Sequence, residues 1–167
     1  MKKVAVLLGS ISDKPVLDKA FAVLDELEIP FEAHVCSAHR TPERAAGFVT
    51  NAEQSGFGVI IAAAGLAAHL AGACAARTHL PVIGLPVQGG GLGGLDALLA
   101  TVQMPPGFPV ATVAVNGAEN AALLAAQILA LADAELRGRL LSYRGKLTEK
   151  ADAADRELCL SLKDGRG

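Results

Sequence analysis

Five short apolar segments, separated by segments of helical character, constrain the fold of this chain more than any other feature. They cover residues 4–8, 31–36, 57–64, 82–87 and 109–115. Residues 4–8 form a continuous apolar run, as expected for a strand that is buried on both faces, and the other segments are mainly apolar. Strands that alternate with helices pair in parallel through right-handed crossovers. The sequence therefore predicts an open parallel α/β sheet with helices on both faces.

The number of strands also indicates the topology. Five strands fit a flavodoxin-like order, 2-1-3-4-5, within a three-layer sandwich of class α/β. Residues 1–132 are predicted to form this catalytic domain. Residues 133–167 are predicted to be a C-terminal helical arm of the same domain, because Leu136, Leu140 and Leu147 mark one stripe of a charged segment. We expect the arm to pack on a neighbouring subunit, and a fraying tail is the alternative.

Composition limits the core and the partners. The 167 residues are 51% hydrophobic but only 4% aromatic, so small aliphatic side chains must fill the core, and surplus apolar surface indicates subunit contacts. A net charge of -2 without a basic block argues against nucleic acid or membrane as a partner. The apolar run 4–8 is too short for a signal sequence or a membrane span, so a cytoplasmic location is expected. Cys36, Cys74 and Cys159 lack metal-ligand spacing, which predicts no metal site and three small buried side chains.

The string Ser-Ala-His-Arg-Thr-Pro at residues 37–42 joins the second strand to a helix. Thr41 is the predicted helix cap, and Pro42 suits the first helical turn. The string therefore lies at the carboxyl end of a strand, where open parallel sheets bind ligands. Arg40 and the helix N-terminus favour an anion, and His39 can exchange protons near neutral pH. Together these residues predict a phosphate-bearing substrate held beside an acid/base group.

Two glycine-containing turns follow other strands. Gly-Ser-Ile-Ser-Asp at residues 9–13 precedes a helix predicted over 14–27, with Ser12 or Asp13 as its cap. Such a turn can cradle a phosphate or a ribose, and helix capping alone is the alternative explanation. It lacks the glycine pattern of dinucleotide-binding sites and the P-loop lysine. The glycine-dense segment 88–96 suits either a loop that closes over a ligand or a plain connector.

Six strings along the chain together resemble the aminoimidazole ribonucleotide carboxylase/mutase family of purine biosynthesis. They are Gly-Ser-Ile-Ser-Asp at 9–13, Ser-Ala-His-Arg-Thr-Pro at 37–42, Ala-Ala-His-Leu at 67–70, Pro-Val-Gln at 86–88, Val-Gln-Met-Pro at 102–105 and Asn-Ala-Ala-Leu-Leu at 120–124. The resemblance covers residues 4–131, and the first two strings are highly specific in combination. It implies a homo-octamer that acts on a ribonucleotide without metal or organic cofactor.

This family has two branches. The resemblance to the bacterial branch implies a mutase that moves a carboxyl group of N5-carboxyaminoimidazole ribonucleotide from nitrogen to ring carbon 4. The animal-type branch adds carbon dioxide directly, usually has lysine where this chain has Arg40, and lacks the string that contains His69. This chain is therefore nearer the mutase. Leu66, Ala71 and Ala73 replace the Gly, Pro and Met of the usual mutase pattern, so direct carboxylation stays open as the alternative.

The resemblance also implies roles for individual residues. His39 is expected to be the general acid/base, first toward the departing carbamate nitrogen and then toward carbon 4. The expected substrate-binding residues are Ser10, Ser12, Asp13, Ser37, Ala38, Arg40, Ala64, Gly65, His69 and Leu70. Within this set the serines and Arg40 hold the phosphate, Asp13 holds the ribose, and the last four line the ring and carboxyl pocket. For His69 the alternative is a helix-start residue bonded to backbone, and for the whole protein it is a catalytically silent nucleotide-binding module.

Overall fold

A five-stranded sheet forms the centre of the protein, and the computed structural model describes residues 1–164. The strands are β1 (Lys3–Leu8), β2 (Phe31–Val35), β3 (Phe57–Gly65), β4 (Val82–Val87) and β5 (Ala111–Thr112). Every neighbouring pair is parallel, and the order is β2-β1-β3-β4-β5. The predicted fold class and strand order are confirmed.

Six helices cover the sheet. They are α1 (Lys14–Glu26), α2 (Pro42–Asn51), α3 (Leu70–Ala75), α4 (Leu95–Val102), α5 (Ala118–Ala130) and α6 (Ala134–Asp164). One face of the sheet packs against α1 and α5, with the first turns of α6 completing that core. The other face packs against α2, α3 and α4. The alternating side chains of β1 illustrate the division, since Val4 and Val6 enter the first core while Ala5 and Leu7 enter the second.

Small residues bring the helices close to the sheet, as the low aromatic content predicts. Five alanines of α5 are completely buried, namely Ala118, Ala121, Ala122, Ala125 and Ala126. On the opposite face, Gly84 of β4 lies directly under α4. A Cβ atom at Gly84 would stand 2.3 Å from Thr101 Cγ2 and 2.8 Å from Val110 Cγ1. The approach of α4 to β4 therefore requires glycine at this position.

The two edge strands differ from the buried centre. Pairing of β5 with β4 is restricted to Ala111 and Thr112, although the predicted strand spans 109–115. Pro109 has no N–H to donate, which shortens the ladder at that end. At the other edge, residues 32–35 of β2 are all exposed, whereas β1 beside them is almost completely buried.

The predicted C-terminal arm is a single helix, α6, of 31 residues. Its first turns pack on the body of the protein, where Leu136 is buried. Arg139 Nε donates to the Leu27 carbonyl at 2.8 Å, and the Tyr143 hydroxyl donates to Glu119 Oε1 at 3.1 Å. Every side chain from residue 144 to 162 is exposed. Among residues 1–164, no helix is long and apolar enough to cross a membrane.

The three cysteines are unequal. Cys36 and Cys74 are buried thiols, as predicted. Burial raises the pKa of the Cys36 thiol and raises the pKa of Cys74 to about 12, so both stay protonated and unreactive near neutral pH. The prediction is wrong for Cys159, which lies on the exposed part of α6.

Candidate active site

A cavity of about 630 Å³ opens at the carboxyl ends of β1, β2, β3 and β4. The strand order reverses at β1, which is where open parallel sheets form their ligand crevices. The lining residues are Gly9, Ser10, Ser12, Asp13, Val16, Ser37, Ala38, His39, Arg40, Ala64, Gly65, Leu66, Ala67, Leu70, Val87, Gln88 and Gly89. The fold thus brings ten of the eleven residues that the sequence selects to one cavity. His69 does not line it and contacts the cavity through His39.

The turn after β1 is a compact hydrogen-bonded unit. The Ser10 N–H donates to Asp13 Oδ2 at 3.0 Å, and the Ser12 N–H donates to Ser10 Oγ at 3.3 Å. These bonds form a capping box on a short 3₁₀ turn, Ile11–Asp13, that leads into α1. Asp13 occupies the N-cap position of α1, as predicted, but its side chain makes no cap bond to that helix. It bonds back to Ser10, which caps the 3₁₀ turn. The Ser12 hydroxyl lies 2.8 Å from Ser10 Oγ, so two hydroxyls stand together at the cavity.

Asp13 is the one buried carboxylate of the cavity lining. Burial raises the pKa of Asp13 above its ordinary value. The Ser10 N–H and the positive charge of Arg40 act in the opposite direction, because both stabilise the carboxylate. Asp13 therefore lies in the cavity wall next to one direct donor, the Ser10 N–H, and near the positive charge of Arg40.

The turn after β2 is shaped by Ser37 and Thr41. The Ser37 N–H donates to Thr41 Oγ1 at 3.0 Å, and the Thr41 hydroxyl donates to the Ser37 carbonyl at 3.2 Å. Thr41 occupies the N-cap position of α2, but its hydroxyl faces back into the turn and makes no cap bond to the helix. The predicted role of Thr41 as a side-chain cap is wrong for this reason. Pro42 begins α2, as predicted.

This turn presents His39 and Arg40 to the cavity. The Arg40 N–H donates to Ser37 Oγ at 3.1 Å, which fixes the backbone of the turn. The Arg40 guanidinium donates through Nη2 to the Gly9 carbonyl at 3.0 Å, so it joins the turn after β2 to the turn after β1. A guanidinium carries five N–H groups, and those not used on Gly9 remain for an anion.

His39 and His69 form a direct pair. His39 Nε2 lies 2.9 Å from His69 Nδ1, and the rings meet edge to face with an interplanar angle of 84°. One nitrogen donates and the other accepts, so each ring fixes the orientation of the other. His69 immediately precedes α3 and makes no side-chain bond to that helix. The alternative for His69, a helix-start residue whose side chain bonds to backbone, is therefore not what the structure shows; the side chain bonds to His39.

Beyond His39, the cavity is lined by small and aliphatic residues at the ends of β3 and β4 and at the start of α3. Ala64, Gly65 and Leu70 lie here, where the resemblance expects the ring and carboxyl pocket. A Cβ atom at Gly65 would stand only 3.0 Å from the Val87 carbonyl oxygen, so the two strand ends approach too closely for a side chain. Leu66 follows with φ of 55°, in the left-handed region.

Three lining residues at the end of β4 are absent from the predicted substrate-binding set, although the string at 86–88 and the glycine-dense segment 88–96 were both singled out in the sequence. Val87, Gln88 and Gly89 line the cavity beside the end of β3. Gln88 is held by Asn116, whose Oδ1 accepts from the Gln88 N–H at 2.9 Å and whose Nδ2 donates to Gln88 Oε1 at 3.3 Å. A positional signal was also available, because β4 ends next to β3 in the predicted order. Ala67 stands in the string at 67–70, whereas Val16 carried no signal.

Within residues 1–164, no three His, Cys, Asp or Glu side chains converge in a way that could hold a metal ion.

Comparison with known proteins agrees with this architecture. Residues 3–150 match the family described as AIR carboxylase. The chain is 53% identical over 144 residues to the N5-carboxyaminoimidazole ribonucleotide mutase of Pyrococcus abyssi, covering 86% of this chain and 83% of that protein. It is 51% identical over 156 residues to the protein of the same name from Mycobacterium tuberculosis H37Rv, covering 93% and 90%. The crystal structure of Treponema denticola PurE superposes with a TM-score of 0.82 at 28% identity, covering 93% of this chain and 97% of that one. The chain belongs to the AIR carboxylase family.

Proposed function

We propose that this chain is a mutase of purine biosynthesis that converts N5-carboxyaminoimidazole ribonucleotide into 4-carboxy-5-aminoimidazole ribonucleotide. The observation that carries the proposal is one cavity with two chemically different ends. Hydroxyls and a guanidinium stand at one end, and a histidine pair with apolar walls stands at the other. The relatives that cover most of the chain at about half identity are named for this reaction.

The polar end suits the ribose phosphate. Ser10, Ser12 and Ser37 offer hydroxyl groups, and Arg40 offers forked donors with a full positive charge. Because a phosphate is doubly charged near neutral pH, an arginine held at the cavity by Gly9 is the strongest single anchor on this wall. Asp13 lies beside these groups and is placed to accept hydrogen bonds from ribose hydroxyls.

The apolar end suits the imidazole ring and the carboxyl group. Ala38, Ala64, Gly65 and Leu70 present small or aliphatic surface there, and Val87 closes it from the side of β4. Such a surface excludes water and holds a small neutral molecule beside the ring. The aminoimidazole ring is electron-rich at carbon 4, so it attacks carbon dioxide once the two are kept together.

His39 would move the single proton that the reaction needs. Protonated His39 gives its proton to the carbamate nitrogen, the nitrogen–carboxyl bond breaks, and carbon dioxide is released beside the ring. Carbon 4 then forms a bond to that carbon dioxide, and neutral His39 removes the proton from carbon 4. The proton count closes, because the histidine regains what it gave. His69 would hold the His39 ring in position through their hydrogen bond.

The exposed apolar surface supports a homo-oligomer. Leu95, Leu99 and Val102 form one stripe along α4 and are exposed in the single chain, with Leu92 and Phe108 nearby. The exposed part of α6 carries further leucines. The family resemblance extends this to an octamer, in which α6 packs on a neighbouring subunit; residues 165–167 of the predicted arm lie outside the described residues. Sedimentation as a monomer at micromolar concentration would contradict it. A nucleotide substrate made inside the cell fits a cytoplasmic location.

The decisive test compares two substrates. Purified protein is incubated either with N5-carboxyaminoimidazole ribonucleotide or with aminoimidazole ribonucleotide plus bicarbonate, and formation of the 4-carboxy product is followed. We expect conversion of the first substrate at a rate well above that of the second. Faster conversion of the second would make the chain a direct carboxylase. Tight binding without conversion of either would make it a nucleotide-binding module.

The same assay tests His39. Replacement His39→Asn should preserve nucleotide binding and lower turnover by about 10²- to 10⁴-fold, the usual contribution of a general acid/base. His79→Asn is the matched control, because His79 lies outside this cavity. A His39→Asn variant with normal turnover would remove His39 from the mechanism.

A further inference from the structure

Gln88 differs in chemistry from its neighbours in the cavity wall. Of the lining residues contributed by the ends of β3 and β4 and by the start of α3, Gln88 alone has a polar side chain, and the others are Gly, Ala, Val or Leu. The proposed substrate places its carboxyl group at this end of the cavity. A carboxylate that leaves water needs a hydrogen-bond donor, because its desolvation is otherwise uncompensated.

A backbone group sets the direction of the Gln88 amide. The Gln88 N–H can only donate, and it donates to the Asn116 side chain at 2.9 Å, so the atom that it meets is the oxygen, Oδ1. The Asn116 nitrogen, Nδ2, then faces the Gln88 side chain, and the Gln88 atom 3.3 Å from it is the acceptor Oε1. The donor Nε2 is therefore the free end of the Gln88 amide, and within residues 1–164 it has no hydrogen-bond partner.

Asn116 is tied to the end of β4 by its backbone as well as by its side chain. Its N–H donates to the Pro86 carbonyl at 2.9 Å, so Asn116 bonds to the residues on both sides of Val87. Its φ of 58° lies in the left-handed region, and residues held there cluster at functional sites. Asn116 does not line the cavity, so it acts on the site through Gln88.

We propose that Gln88 is a specificity-determining residue whose Nε2 donates to the carboxyl group of the nucleotide, and that Asn116 is the positioning residue that leaves this donor free for it. The inference rests on the proposed function. Arg40 and the serines at the polar end would bind a ribonucleotide with or without the carboxyl group. Gln88 would distinguish the carboxylated nucleotide from the decarboxylated one.

Four variants separate the donor from its support. Gln88→Met keeps the length of the side chain and removes both polar atoms, and Gln88→Glu replaces the donor by a carboxylate. Asn116→Asp keeps an acceptor for the Gln88 N–H, but its second oxygen can only accept, so it turns Nε2 toward itself and leaves Oε1 for the ligand. Asn116→Gly keeps the left-handed backbone and removes both side-chain bonds. Gln127→Met is the matched control, because Gln127 lies on α5 outside this cavity.

The measurement is calorimetric titration with two ligands that differ only in the carboxyl group, the 4-carboxy product and aminoimidazole ribonucleotide. We expect Gln88→Met to weaken binding of the carboxylated ligand by about 10-fold or more and to change binding of the other by less than about twofold. Gln88→Glu and Asn116→Asp should weaken the carboxylated ligand further, because an oxygen then faces its carboxylate. Asn116→Gly should have the smallest effect, and Gln127→Met should bind both ligands as the wild type does.

Unchanged affinity of Gln88→Met for the carboxylated ligand would overturn the proposal. Equal weakening of both ligands would overturn it too, since Gln88 would then shape the cavity and not recognise the carboxyl group. Asn116→Asp that binds the carboxylated ligand as well as Asn116→Gly would remove the positioning role of Asn116. Should the Gln88 variants fail to fold, Asn116→Asp gives the same comparison with Gln88 in place. Failure of the wild type to convert the N-carboxy nucleotide, measured alongside, would overturn the proposed function itself.

Discussion

His39 Nε2 lies 2.9 Å from Nδ1 of His69, although 30 residues separate the two in the sequence. The bond connects the turn after β2 to the start of α3, across the intervening strand β1. The catalytic candidate is therefore positioned from two sides, by its own turn and by a second imidazole. Because the two rings share a hydrogen bond, the second histidine fixes the orientation of the first.

We predict that His69→Asn lowers kcat by about 100-fold while KM changes little. The asparagine keeps the size and polarity of the site but cannot accept a proton as imidazole does. A loss of nucleotide affinity in place of turnover would show that His69 acts on binding and not on the position of His39. Steady-state kinetics, with His79→Asn as control, provide the measurement.

Arg40 should act mainly through binding. A charge-assisted hydrogen bond contributes about 1.5–3 kcal/mol, so Arg40→Ala should weaken nucleotide affinity by about 10- to 100-fold. Arg40→Lys keeps the charge but cannot donate to both the Gly9 carbonyl and a phosphate with the same geometry. Its nucleotide affinity should therefore lie between that of the wild type and that of Arg40→Ala. Calorimetric titration of product into each variant measures the effect. Unchanged affinity in Arg40→Ala would contradict the phosphate assignment.

The ionised side chain of Asp13 should lower the free energy of unfolding at neutral pH. Its folded pKa is raised by burial, so the folded state binds this proton more tightly than the unfolded state, and stability is lost as pH rises through the raised pKa. Asp13→Asn removes the charge and should raise the melting temperature at neutral pH, on the order of 1–3 °C. The gain should disappear below the ordinary value of 3.8, where the native carboxyl is protonated in both states.

The same Asp13→Asn variant should bind nucleotide less tightly, because an amide is a weaker acceptor for ribose hydroxyls than a carboxylate. Melting curves of the ligand-free protein from pH 3 to 8 test the predicted gain in stability, and nucleotide titrations at neutral pH test the predicted loss of affinity. A melting temperature that falls at neutral pH would show that the Ser10 bond to Asp13 outweighs the cost of burial.

Gly84→Ala should destabilise the fold. The added methyl group would meet Thr101 Cγ2 at 2.3 Å, and the buried contact between α4 and β4 has no room to accept it. Overpacking of this kind costs about 1–3 kcal/mol. Gly138→Ala is the control, because Gly138 lies on an exposed face of α6 with nothing within 4 Å of the added atom, and alanine there should stabilise by about 0.5–1 kcal/mol. Urea unfolding of both variants gives the comparison.

Much of this architecture could be predicted because it depends on local sequence. Continuous apolar runs identify buried strands, and the polar strings at 9–13 and 37–42 identify the strand ends that carry the site. The bond between His39 and His69 could not be predicted in this way, since it requires the relative placement of α3 and the turn after β2. The same holds for Gln88 and Asn116, which meet across 28 residues.

Other differences have local physical causes. Thr41 was expected to cap α2, but its hydroxyl oxygen already accepts from the Ser37 N–H and its proton is donated to the Ser37 carbonyl. Residue type does not tell which backbone N–H, that of Ser37 or one of the helix, wins this oxygen. Cys159 was expected to be buried because free cysteine usually is. Its exposure follows from the length of α6, which extends past the surface of the domain that it packs against.

The exposed edge strand β2 leads into the turn that presents His39 and Arg40. β2 has one neighbour, β1, and the bond from the Arg40 guanidinium to the Gly9 carbonyl joins the tips of these two strands. A ligand that binds to both strand tips at once would hold β2 against β1. Amide protons of β2 should therefore exchange with deuterium far more slowly in the occupied enzyme than in the empty one, while those of β1 and β3 hardly change.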